Sequence, residues 1–111
     1  MRYFGAHVSS AGGLDNAIKN AQKFDINSIQ MMPSAPMRWL YKDISDEQID
    51  ALVKEQKSSS VKKLLIHGVY LINLARKDKQ MFHMSKMSLV TYLRFVQEVQ
   101  KKAKAHHPDW F

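Results

Sequence analysis

The apolar residues of this chain change period repeatedly, from short strand-like runs to helical spacing and back. A chain patterned in that way folds as βα units rather than as a helical bundle or an all-β sandwich. Arg2 to Val8 reads as a first strand, ended by the turn Ser9-Ser10-Ala11-Gly12-Gly13. Leu14, Ala17, Ile18, Ala21 and Phe24 then fall on one face of a helix. Ser28 to Met32 reads as a second strand, closed by Pro33, with Pro36 holding the following segment extended or turned. Ser45-Asp46-Glu47-Gln48 has the form of a capping box, and the helix it opens carries Ile49, Leu52 and Val53 as its apolar stripe. Val61 to His67 is the third expected strand, with Leu64-Leu65-Ile66 as its buried centre. After the apolar loop Gly68 to Leu74, a long helix from about Lys79 to Lys104 is expected to bury Phe82, Leu89, Leu93, Val96 and Val99. Its methionines are expected to pack rather than to do chemistry.

Three such units in succession make an α/β fold with parallel strands and right-handed crossovers. Three strands are few for a sheet buried on both faces, and an open edge invites pairing. The sequence ends on Trp110-Phe111, two large apolar residues with nothing after them to cover them. Residues 1–111 therefore read as a single incomplete domain, to be completed by further chain or by self-association through the open sheet edge.

Composition narrows the chemistry. There is no cysteine, so no disulfide framework and no thiolate metal site, and a metal would have to be held by His, Asp or Glu. The N-terminus lacks a signal-peptide core, and no apolar run approaches the roughly 18 residues needed to span a bilayer. A cytoplasmic protein without a membrane partner is expected. The net charge of +7 is unevenly placed: residues 1–60 carry seven Lys/Arg against seven Asp/Glu, residues 61–111 ten against three. Such an excess attracts phosphates and suits nucleic acid. A solvated helix face, as at Lys101, Lys102 and Lys104, explains it equally well.

In parallel α/β folds ligand-handling residues collect at the C-terminal ends of strands, and the three notable motifs lie at such ends. They are Gly5-Ala6-His7-Val8-Ser9 with Ala11-Gly12-Gly13, then Met32 to Trp39, then His67-Gly68-Val69-Tyr70-Leu71-Ile72-Asn73-Leu74. In order and spacing they resemble the endonuclease IV family, whose members carry a Gly-Ala-His-Val-Ser…Gly-Gly stretch and a His…Tyr-Leu-Ile-Asn-Leu segment. The resemblance runs from Arg2 to about Gln100. It implies a partial TIM barrel here, the first three βα units of eight. It also implies a trinuclear Zn2+ centre that hydrolyses double-stranded DNA beside abasic sites in base excision repair, and strand-end loops that flip out the damaged nucleotide.

Carried over by motif, His67 matches a zinc ligand. His7 matches a position beside the metal centre, supporting a ligand or facing substrate rather than binding zinc itself. For both, a hydrogen-bonded structural histidine is the alternative. Tyr70 and Leu71 match residues that wedge into the minor groove, against a plain reading of loop packing. Arg38 and Trp39 lie where the family places an arginine that enters the base stack near a tryptophan. Here Pro33-Ser34-Ala35-Pro36-Met37-Arg38 departs from the family's Thr-Lys-Asn-Pro-Arg-type run, with the arginine one position later and the lysine and asparagine missing. Asn73 and Ser9 are candidates for phosphate oxygens or for capping local backbone. Counting on from His67, His107-Pro108 matches a second zinc histidine followed by proline, although Lys101 to His106 are too polar for a buried strand and chance spacing competes.

The family takes its bridging carboxylates from later strands, and none of the acids here lies at an expected strand end. No catalytic residue is therefore assigned within the chain, which is expected to be inactive alone. Two other readings fit the pattern: a xylose isomerase-like barrel that binds or isomerises a sugar, and a small basic protein that binds DNA or oligomerises without catalysis.

Overall fold

The computed structural model describes residues 1–106. The chain alternates β1 (Gly5–His7), α1 (Asp15–Ala21), β2 (Ser28–Met31), α2 (Asp46–Lys57), β3 (Lys63–Ile66) and α3 (Lys79–His106). The strands form one parallel sheet in the order β1-β2-β3. The α/β architecture and the parallel pairing are those expected. The strands are shorter than their apolar runs suggest, with Arg2 to Phe4 and Val61-Lys62 outside the ladder. Among the described residues no helix is long and apolar enough to cross a membrane.

Local chemistry sets the element ends. Gly12 has φ +85°, a left-handed conformation that side chains rarely adopt, and it turns the chain from β1 into α1. Asn16 and Asn20 donate to the carbonyls of Ala11 and Ser9, so the helix holds its own entry loop. The Lys19 ammonium, 2.8 Å from Asp15 and donating to it, holds that carboxyl below the usual range. At α2, Ser45 Oγ accepts from the Gln48 backbone amide, the N-cap half of the capping box, and Asp46 and Glu47 add favourable negative charge at the first turn.

Register decides what the sheet buries. Ala6, Ile29 and Leu64 are aligned across the three strands, and so are His7, Gln30 and Leu65. Ile29 and Met31, with Val8 after β1, join Ile18 of α1, Leu52 of α2 and Phe95 of α3 in one apolar core, against which Leu64 and Ile66 pack. Each fully buried Ile or Leu contributes about 1.5–3 kcal/mol relative to an exposed one. On the other face, which carries His7, Gln30 and Leu65, none of the described helices packs. Leu65 is accordingly 60% exposed, so the expectation that Leu64-Leu65-Ile66 is buried throughout is corrected.

Two helical stripes are also corrected. Phe24 lies past the end of α1 and is 61% exposed, while Leu14, Ala17, Ile18 and Ala21 are buried as expected. On α3, Val99 is buried and Leu89 and Val96 are half-buried, but Phe82 and Leu93 face solvent. The inward stripe is instead Ser85, Ser88, Thr91, Tyr92, Phe95, Val99 and Ala103. Of the α3 methionines, Met81 and Met84 are half-buried and Met87 is exposed.

Candidate metal and nucleic-acid site

The C-terminal strand ends assemble the three motifs on one rim. His7 closes β1, and its Nδ1 lies 3.1 Å from Gln30 Oε1 on β2. An amide oxygen only accepts, so in the tautomer that makes this bond Nδ1 carries the proton and Nε2 the lone pair. His67 follows β3, its N–H donating to the Met31 carbonyl at 2.9 Å, which extends the ladder by one residue. The two imidazoles meet edge to face with centroids 6.1 Å apart. Both are exposed. The motifs place both histidines near one centre, but their separation and edge-to-face geometry depend on the stagger of β1 and β3 across β2, which local pattern does not contain.

Imidazole nitrogens suit Zn2+, so the donor chemistry on this face fits the metal the resemblance implies. Two histidines fill only part of a tetrahedral shell, and no group of three or more metal-ligating side chains forms among the described residues. The fit is that of one ligand, His67, with a second imidazole beside it, as part of a larger site. His107, the other expected ligand, lies outside the described residues.

Around the histidines stand the rim loops. A hollow of about 540 Å³ opens between the loops after β1 and β2, lined by His7, Ser9, Met32, Pro33, Ala35 and Pro36. Ser10 Oγ donates to the Met32 carbonyl and ties these two loops together. Ser9 Oγ accepts from the Ala11 amide and Asn73 Oδ1 from the Ala75 amide, so both side chains cap local backbone. Arg38 is exposed after a tight turn closed by its N–H on the Ala35 carbonyl. Trp39 is half-buried and stacks on Tyr41 at 6.2 Å. Tyr70 is 65% exposed, with its hydroxyl near Met37 Sδ, whereas Leu71 packs against a small cluster of Leu40, Val69 and Tyr92.

Sequence reasoning missed what holds these loops. Ser85, Ser88 and Tyr92 are buried on one face of α3, and each hydroxyl accepts a loop amide: Asn73, Leu40 and Val69 respectively. Their spacing of three and four is the one signal available, hidden because polar residues read as the solvent side of a helix.

The basic excess is not concentrated at this rim. Ser85 and Ser88 place the start of α3 beside the rim loops, whereas Val99, Gln100 and Ala103 line a groove with Lys62 and Lys63 at the start of β3. The lysine-rich end of α3 thus lies at the opposite end of the strands from the histidines. There Lys102 bridges Asp46 and Asp50, and Lys101 and Lys104 are exposed. The rim's own exposed cations include Arg38, Arg76 and Lys77.

No family model matches the chain. It is 32% identical to the probable endonuclease 4 of Campylobacter concisus over 97% of its own length and 39% of that protein. It is 38% identical to the apurinic-apyrimidinic endonuclease 1 of Saccharomyces cerevisiae over 69% of its length and 22% of that protein. Its fold matches the crystal structure of endonuclease IV from Thermus thermophilus with a TM-score of 0.79 at 24% identity, over 88% of this chain and 37% of that one. The chain thus spans about two fifths, or less, of the length of these relatives. In sequence and in fold, the chain corresponds to the N-terminal portion of endonuclease IV, three parallel strands and their helices from a TIM barrel.

Proposed function

We propose that this chain forms the first three βα units of a zinc-dependent endonuclease that cleaves double-stranded DNA at abasic sites in base excision repair, and that it is inactive without ligands from later strands. The observation that carries the reading is the pair His7 and His67, 6.1 Å apart on an open sheet face, below a rim that displays Tyr70 and Arg38. The names of the relatives, apurinic-apyrimidinic endonuclease among them, support the same substrate.

In this reading His67 holds the metal and His7, oriented by Gln30, stands beside it. A bound zinc supplies hydroxide near neutral pH and stabilises charge on phosphate oxygens. The protein's own part here is binding and orientation. An exposed tyrosine on a rim is a liability in water and an asset in a minor groove, where insertion between bases offsets the cost of unstacking them. Arg38, Arg76 and Lys77 supply charge for the flanking phosphates. Among the described residues the strand ends carry His7 and His67 and no carboxylate, too few donors to complete the centre.

Calorimetric titration with Zn2+ tests the metal assignment. His67→Ala should weaken binding by on the order of tenfold or more; equal affinity in both proteins would remove His67 from the metal. Incubation of the chain with abasic-site duplex and zinc should give no cleavage, and sustained turnover would overturn the inactivity. Tyr70→Ala should lower the preference for abasic over intact duplex, and an unchanged preference would take Tyr70 out of lesion contact.

A further inference from the structure

We propose that Tyr92 is a positioning residue that couples the two rim loops through a single hydroxyl. The inference rests on the reading of that rim as the DNA-facing side. Tyr92 is 4% exposed, on α3, well away from the histidines in sequence. Its Oη accepts the Val69 N–H at 3.1 Å and lies 3.1 Å from Ser34 Oγ. A phenol has an acceptor for one partner and a proton for another, so both bonds form at once. Val69 immediately precedes Tyr70, and Ser34 belongs to the loop that carries Arg38 and Trp39. Of the three α3 hydroxyls that meet loop amides, Ser85 reaches only the loop after β3 and Ser88 only the loop after β2. Tyr92 touches both.

The placement has a physical consequence. A side chain meant to enter a base stack works only if its backbone is fixed to a fraction of an ångström. The Val69 amide is buried, so loss of its acceptor leaves an unsatisfied donor one residue from Tyr70. Because the same oxygen meets Ser34, a disturbance of either loop reaches the other.

Hydrogen exchange on the full chain with Tyr92→Phe and Ser34→Ala tests the coupling, since phenylalanine keeps the packing and removes only the hydroxyl. In Tyr92→Phe the Val69 amide should exchange about fivefold faster. In Ser34→Ala it should also accelerate, although the Ser34 hydroxyl bonds Tyr92 and not the Val69 amide, and the double variant should be no faster than Tyr92→Phe alone. The β2 strand amides should be unchanged. A Val69 amide indifferent to Ser34→Ala, additive effects, or an equal acceleration throughout β2 would each overturn the coupling. In a parallel binding measurement, Tyr92→Phe should lower the preference for abasic over intact duplex by about fivefold. An unchanged preference would overturn the positioning role. Absence of any preference in the wild-type chain would refute the DNA reading itself, while the exchange data would still decide the coupling.

Discussion

A Cβ on Gly5 would sit 2.5 Å from the Ser28 carbonyl oxygen and 2.9 Å from Ser28 Cβ, both on the neighbouring strand. No side-chain carbon is accommodated at such distances without the strands moving apart. The glycine that opens the Gly-Ala-His stretch therefore has a reason in the backbone, independent of any chemistry at His7. It lets β1 lie close enough to β2 for the Gly5–Ser28 pairing and, two residues on, for His7 to reach Gln30. Gly5→Ala should destabilise the chain by about 1–3 kcal/mol, the usual range for overpacking. Denaturant unfolding reads this as a lower midpoint with an unchanged slope. A variant as stable as wild type would mean that the β1–β2 pairing tolerates separation, and the placement of His7 would lose its support.

At the scale of elements, α2 illustrates what a sequence states openly. Its start is written in four consecutive residues, and Ser45 Oγ accepts the Gln48 amide as that pattern requires. Ser45→Ala should cost about 1 kcal/mol, the ordinary value of an N-cap, without altering the Val69 or Leu40 amides near the site. Thermal unfolding together with hydrogen exchange checks both halves of that expectation; a loss confined to the rim would argue that the cap acts elsewhere. The faces of α1 and α3 were legible only in part, for a reason that local pattern does not contain. Phe24, Phe82 and Leu93 have the right character for a core, but which side of a helix is inward depends on what the sheet and the loops present to it. Around α3 those partners include loop amides, so Ser85, Ser88 and Tyr92 turn inward while Leu93, 60% exposed, turns out. A buried N–H without a partner costs about 1–3 kcal/mol, so satisfying three loop amides together outweighs the roughly 1.5–3 kcal/mol from burying one leucine.

Across the whole molecule, strand order and parallelism follow from the alternation of periods, and the site motifs follow from strand ends. The distance between His7 and His67 does not, because it is set by register across a third strand. Nor does the covering of the sheet, and here Leu65 is decisive. Leu64, Leu65 and Ile66 look alike as letters, yet Leu64 and Ile66 pack against the helices while Leu65 shares the open face with His7 and Gln30. The two faces should therefore answer differently to substitution. Ile29→Ala, at a position 1% exposed, removes core contacts and should cost about 2–5 kcal/mol. Leu65→Gln should change stability by no more than about 0.5 kcal/mol, as surface substitutions do. It should also reduce any self-association of the chain, because a large apolar side chain on an open parallel sheet is a natural seat for another sheet face. Unfolding titrations and sedimentation velocity at matched concentrations measure the two effects. Should Leu65→Gln prove as damaging as Ile29→Ala, the face bearing the two histidines would be a covered one, and its access to metal and DNA would have to be abandoned along with it.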